Sequence, residues 1–248
     1  MEVIHELLGY KNIKIIQNSD MFSFSGDSML LAYFINTDKK LANIIDLGCG
    51  NGPIPLYLTL KTKAKIIGVE IQTAVSDMAS RSVELNGLTE QIKIINADIK
   101  NIYKQVGANK FDVVVCNPPY FKYKPSSNIN KNDYLTIARH EVKITLEDIV
   151  AESNKLLLDG GSLCMIHRVD RLAEIISVLD KYNFAIKRMQ FVYPKQDSTE
   201  ALQVLIEAKN NAKCGMKVLK PFYMYDINGE YTKEALTVFN LKNCSACK

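Results

Sequence analysis

Asp46-Leu47-Gly48-Cys49-Gly50-Asn51-Gly52 sets one carboxylate beside three glycines, where an apolar run gives way to a helical one. Glycine lets a backbone come close to a ligand, and the first N–H groups of a helix have no partner within it. This loop is therefore expected to turn N–H groups toward a bound molecule. It is not a dinucleotide fingerprint, because Pro53 stands where the third glycine would be. Asp46 has the wrong charge for a diphosphate and the right one for an ammonium group. Glu70, followed by Ile71, closes the next apolar run, where an acidic side chain can accept both hydroxyls of a ribose. Asp98, after the third run, can receive the exocyclic amine of an adenine while the Ile99 N–H donates to a ring nitrogen. Three carboxylates at three successive strand ends describe a pocket for an adenosine that carries an amino-acid cation.

Asn117-Pro118-Pro119-Tyr120 follows a fourth apolar run, Phe111 to Cys116. Two prolines fix φ and remove two N–H donors, so the turn is rigid and offers carbonyl acceptors outward beside the Asn117 amide oxygen. Two such acceptors match the two hydrogens of an amino group on a planar ring. Tyr120 supplies a flat face on which an extruded base can stack.

These residues need a sheet to hold them. Short apolar runs at Asn43–Leu47, Lys65–Glu70, Ile92–Asn96 and Phe111–Cys116 alternate with helical stretches, as in βα units on a parallel sheet. Helices are expected from Asp27 to Ile35, from Pro53 to Lys61 and from Thr73 to Asn86, the last closed by Gly87. Another should run from Thr145 to Leu158, capped by Thr145 with Asp148 and ended by Asp159-Gly160-Gly161. Ser162–His167, the helix Arg171–Tyr182, and Ala185–Val192 and Leu202–Ala208 complete the sheet. The last two are joined by a polar loop and should pair antiparallel. A strand at Ile13–Gln17 precedes the sheet, and a small hairpin with a terminal helix over residues 217–239 follows it.

Composition narrows the class. With 248 residues, 47% hydrophobic and 23% charged, the chain can bury one large core. No apolar run is long enough to cross a bilayer as a helix, and the first residues lack the basic-then-apolar order of a secretory signal, so a cytoplasmic protein is expected. The six cysteines lack a disulfide framework and read as reduced thiols. Cys244 and Cys247 have half of a zinc spacing without a second pair, so no metal is expected. A net charge of +4 permits a nucleic-acid partner without requiring one. His5 and His167, lacking partners at ligand spacing, are assigned to structure.

The loop at 46–52, Glu70, Asp98 and Asn117-Pro118-Pro119-Tyr120 together resemble the class I S-adenosylmethionine-dependent methyltransferases. The resemblance covers roughly residues 20–210. It implies an α/β, Rossmann-like, doubly wound seven-stranded mixed sheet with an antiparallel seventh strand. It also implies S-adenosylmethionine as cofactor, held by Asp46, Gly48, Cys49, Gly50, Glu70, Ile71, Asp98 and Ile99, and transfer catalysed at Asn117, Pro118, Pro119 and Tyr120. Three further stretches, Phe22 to Ala32, Ala138-Arg139-His140-Glu141 and Gly229-Glu230-Tyr231-Thr232, resemble bacterial enzymes that methylate adenosine 37 of a valine tRNA at N6. On that likeness Asp27 joins the cofactor set, and residues 1–36 and 211–248 are extensions flanking a methyltransferase domain at 37–210. Lys122, Lys124, Arg139 and His140 would bind the substrate, a tRNA, and the enzyme would act as a monomer. Lys122, Lys124 and Lys131 alternate with Phe121, Tyr123 and Tyr134, which suits a single-stranded RNA loop. Lys187, Arg188, Lys195, Lys209, Lys213, Lys217 and Lys220 are candidates for holding the tRNA body. The alternatives are a release-factor glutamine methyltransferase, a DNA or rRNA adenine N6-methyltransferase, and a non-catalytic RNA- or cofactor-binding module.

Overall fold

The structure is a computed structural model, and it describes residues 1–18, 21, 26–37, 40–120 and 144–241. Glu2–Leu7 (β1) and Tyr10–Asn18 (β2) form an antiparallel hairpin. Helix α1 spans Gly26–Phe34, and then strands and helices alternate: Asn43–Leu47 (β3), Pro53–Leu58 (α2), Lys65–Glu70 (β4), Thr73–Leu85 (α3) and Ile92–Asn96 (β5). Tyr103–Val106 (α4), Phe111–Cys116 (β6), Leu146–Leu156 (α5), Leu157–Arg168 (β7), Leu172–Lys181 (α6), Phe184–Lys195 (β8) and Gln203–Asn210 (β9) complete the central part. Lys217–Val218 (β10), Phe222–Tyr225 (β11) and Lys233–Phe239 (α7) follow.

The main sheet runs β8-β9-β7-β6-β3-β4-β5, parallel except for β9, which is antiparallel to both of its neighbours. This is the mixed order that the sequence implies. Strands β3 and β6 are central, and all but Asn43 and Asp112 of their residues are buried, so they lie between helical layers. One layer gathers Ile44, Ile66, Val113 and Val192 with α1, α2, α7 and the hairpin; the other gathers Ile45, Val69, Val114 and Leu163 with α5 and α6. Each fully buried Leu, Ile or Val contributes about 1.5–3 kcal/mol.

Local signals hold where they are strong. Thr145 accepts from the Asp148 N–H at 3.1 Å and donates its own N–H to the Asp148 carboxylate at 3.0 Å, closing the expected capping box of α5. After α3, Gly87 (φ 64°) and Leu88 donate to Glu84 and Val83, a Schellman closure.

Three expectations are corrected. Asp159-Gly160-Gly161 does not end a helix with a linker; α5 stops at Leu156 and β7 begins at Leu157, with the register against β6 shifting between Phe111 and Val113. A Cβ at Gly161 would lie 2.9 Å from the Leu158 carbonyl oxygen and 3.2 Å from that of Phe111, so this glycine serves a close strand approach. Residues 217–225 do not stand apart as one arm of a hairpin. β10 and β11 both pair parallel with β8 and cover backbone groups that an edge strand would leave unpaired, which makes a nine-stranded sheet. The Asn228-Gly229 turn does close, through a single bridge between Tyr225 and Tyr231. Finally, the lone N-terminal strand is a hairpin, which reaches α7: the Gly9 N–H donates to the Phe239 carbonyl at 3.0 Å and the Asn240 amide donates to the Gly9 carbonyl at 2.9 Å.

A Cβ at Gly9 would sit 2.1 Å from the Asn240 carbonyl oxygen. Gly9→Ala is therefore expected to destabilise the fold by about 1–3 kcal/mol, seen as a melting temperature lowered by several degrees in circular dichroism. An unchanged melting temperature would show that the two segments are not joined in solution.

Candidate active site

The functional motifs meet at the carboxyl ends of β3, β4, β5 and β6, where open α/β sheets place their ligands. A cavity there is lined by Gly48, Cys49 and Gly50, by Glu70 and Ile71, by Asp98 and Ile99, and by Asn117, Pro118 and Pro119. Ile144 and Ile149 close its apolar side. Eleven of the expected residues thus share one space or its floor, since Asp46 lies fully buried next to it.

The glycine loop differs from expectation in one respect. The Gly48 and Cys49 N–H groups both donate to the Val69 carbonyl, at 2.8 and 2.9 Å, and the Gly50 N–H donates to Glu70 Oε2 at 3.0 Å. The parallel neighbour β4 ends alongside the loop, so those donors are satisfied from within and do not face a ligand. The Asn51 side chain, 4% exposed, donates to the Ile16 carbonyl at 2.8 Å and ties the loop to the hairpin.

The carboxylates are set apart by their surroundings. Both oxygens of Asp46 are buried with no hydrogen-bond partner among the described residues. Burial, and then the nearby Glu70 charge, push its pKa up to about 8. An unpartnered buried carboxyl beside a cavity fits a cationic ligand group. Glu70 is also held above the ordinary carboxylate range by burial, offset by N–H groups of Gln72 and Gly50. The Gln72 N–H donates to its Oε1 at 2.8 Å and the Gly50 N–H to its Oε2 at 3.0 Å, which holds the carboxylate at the cavity wall as an acceptor for ligand hydroxyls. Asp98 accepts the Lys100 N–H at 2.9 Å, which fixes its turn. The residues present therefore fit an adenosine bearing an amino-acid cation.

At the other side of the cavity, Asn117 donates to Ser28 Oγ at 3.2 Å. The Tyr120 hydroxyl lies 2.9 Å from both Asn117 Oδ1 and Asp27 Oδ2, and Gln203 donates to it at 3.3 Å. The Tyr120 phenol is held well above its usual pKa, chiefly by burial and next by the Asp27 charge. The structure thus brings Asp27 and Tyr120 together beside Asn117, and neither Asp27 nor Tyr120 is among the residues that line the cavity.

A chain match decides the family. The model of the methyltransferase small domain matches residues 12–192, well over half of the chain. The protein belongs to the methyltransferase small domain family. Curated relatives within reach of it include a tRNA1(Val) (adenine(37)-N6)-methyltransferase of Porphyromonas gingivalis, 27% identical over 74% of this chain and 73% of that one. A protein of the same description from Flavobacterium psychrophilum is 20% identical over 86% and 90%. Among solved structures, a protein described as a predicted O-methyltransferase of Agrobacterium tumefaciens superposes with a TM-score of 0.67 at 22% identity, covering 86% of this chain and 95% of that one. As a member of this family the protein is an S-adenosylmethionine-dependent methyltransferase of class I fold.

Sequence reasoning missed part of this methyltransferase site. His167 is fully buried, its ring tilted at 49° and 5.4 Å from that of Tyr120. Its Nδ1 accepts the Arg168 N–H at 2.8 Å, and burial followed by the Arg171 charge push its pKa down to about 4, so the ring is uncharged at neutral pH. No periodicity marks His167 or Gln203, which reach Tyr120 from β7 and β9, whereas Ser28 lies in the Phe22 to Ala32 stretch that the resemblance singles out. Lys122, Lys124, Lys131, Arg139, His140, Cys244 and Cys247 lie outside the described residues. Of the second basic group, Arg188 is turned inward, paired with Glu207 and donating to the Phe34 carbonyl at 2.9 Å. Lys213, Lys217 and Lys220 are exposed along the β8 edge. Among the described residues no helix is long and apolar enough to cross a membrane.

Proposed function

We propose that the protein methylates N6 of an adenosine in tRNA, with adenosine 37 of a valine tRNA as its target. The observation that carries this reading is the Asn117 amide and proline-stiffened turn opening onto the same cavity as Glu70 and Asp98. The relatives' shared description supports the choice of tRNA.

S-adenosylmethionine, when bound, supplies a methyl group on a positively charged sulfur. Of this chain's residues, Asp46 would neutralise the amino-acid ammonium, Glu70 would accept from the ribose hydroxyls, and Asp98 with the Ile99 N–H would read the adenine edge, with Ile71 and Ile99 as apolar walls. Asn117 Oδ1 and the Pro118 carbonyl oxygen accept the two hydrogens of the target amine. An aryl amine is a weak nucleophile because its lone pair is delocalised into the ring. Two hydrogen bonds that draw its hydrogens to one side favour a pyramidal nitrogen, whose lone pair can then face the methyl group. No strong base is required, since the alkylated nitrogen sheds its proton readily to a nearby acceptor or water. Tyr120 holds the base by stacking, worth about 1–3 kcal/mol.

Purified protein with methyl-labelled cofactor should label unmodified valine tRNA, and nuclease digestion with mass spectrometry should find the label as N6-methyladenosine at position 37. Label entering a release-factor glutamine, or rRNA alone, would replace this reading with one of the alternatives that share the Asn-Pro-Pro-Tyr turn.

A further inference from the structure

We propose that Asp27 and Ser28, successive residues in the first turn of α1, are positioning residues that hold the Asn117 arm of the amine cradle from its two ends. This rests on the reading of Asn117 as the group that accepts an amine hydrogen.

The Tyr120 hydroxyl has one hydrogen, yet two acceptors, Asn117 Oδ1 and Asp27 Oδ2, each stand 2.9 Å away. Gln203 donates to the same oxygen at 3.3 Å, so the hydroxyl hydrogen must go to one of the two acceptors. If it goes to Asn117, it consumes acceptor capacity that the target amine needs. A carboxylate is the stronger acceptor, because a hydrogen bond to an ionised group is shorter and about twice as strong as a neutral one. Asp27 thereby draws the hydrogen to itself and leaves the Asn117 amide oxygen for substrate.

Ser28 acts on the other end of the same amide. Its hydroxyl, 6% exposed, accepts the Asn117 Nδ2 hydrogen at 3.2 Å, which sets the amide so that its oxygen and not its nitrogen points toward the amine. Neither residue touches substrate in this scheme; each acts through Asn117 or Tyr120. The turn that carries them is braced from behind, since a Cβ at Gly26 would lie 3.3 Å from the Phe239 ring.

The test has a substrate-free arm and a kinetic arm. In 15N-labelled protein the Asn117 side-chain amide signal is assigned by its loss in Asn117→Asp. It should move in Asp27→Ala but not when Asp27→Ala is added to Tyr120→Phe, which has no hydroxyl to redirect; Ser28→Ala should move it in both backgrounds. In turnover, Asp27→Ala should lower kcat about tenfold or more while the cofactor dissociation constant stays within about twofold, and Asp27→Asn should recover part of the loss. In the Tyr120→Phe background the same change should cost less than about threefold. Equal amide shifts or equal losses of kcat in the two backgrounds would overturn the proposal, as would a cofactor constant that rises in step with the fall in kcat. Should the amide shifts appear as described while tRNA is not methylated, the network stands and the substrate assignment fails.

Discussion

Asn117→Ala is expected to leave cofactor binding within about threefold of the parent while cutting kcat by about 10²–10³, the scale found when one preorganised polar partner of a developing charge is removed. The split follows from where the residue sits. Asn117 lines the cavity at the β6 end, opposite the carboxylates of β3 and β4, and its two polar atoms engage Ser28 and Tyr120 and not the glycine loop. Isothermal titration with S-adenosylhomocysteine, followed by single-turnover transfer to tRNA, measures the two quantities separately. Turnover within tenfold of the parent, or a parallel loss of cofactor affinity, would remove Asn117 from the reaction.

The second large effect is at Asp46. Its carboxyl stays protonated in the folded protein up to about pH 8, whereas in the unfolded chain it ionises near pH 4. Between those values the folded state binds more protons than the unfolded one, so the contribution of this group is fully present below pH 4 and is lost as pH rises toward 8. At pH 7 the cost is on the order of 4 kcal/mol. Asp46→Asn cannot ionise. The cofactor-free variant should therefore melt about 10 °C or more above the parent at pH 8 and near it at about pH 4. The same variant should bind cofactor about 10–100-fold more weakly, since it loses a charge-assisted contact with the ammonium. Thermal melts at the two pH values, with and without S-adenosylhomocysteine, check both halves. If parent and variant melt alike throughout, Asp46 is ionised and partnered in the folded protein.

Much of this was legible in the residues because the sheet's central strands leave little choice. Phe111 to Cys116 is too apolar to have a wet face, so Asn117 must emerge at the sheet's carboxyl edge, and the chain order of Asp46, Glu70 and Asp98 follows the strand order outward. What could not be read depends on contacts between distant segments. The Gly48 and Cys49 N–H groups looked free because nothing in their own stretch can accept from them; the acceptor is Val69, brought alongside by parallel pairing. Likewise Asp27 could be placed only near the site by resemblance, because its partner Tyr120 is 93 residues away in the chain. Residues 217–225 looked like the first arm of a hairpin because the Asn228-Gly229 turn follows them, whereas the open edge of β8 competes for them and wins.

The contact between Gly9 and Asn240, with Phe239 set against Gly26, has a consequence for the order in which the molecule is made. Synthesis from the amino end delivers the glycine loop, the prolines and Tyr120 long before it delivers Phe239. A nascent chain still lacking that ring carries α1 without Phe239 against Gly26, so the first turn that bears Asp27 and Ser28 gains this backing only after nearly all of the sheet has been translated. The growing polypeptide thus acquires its cofactor floor early and its finished catalytic corner late.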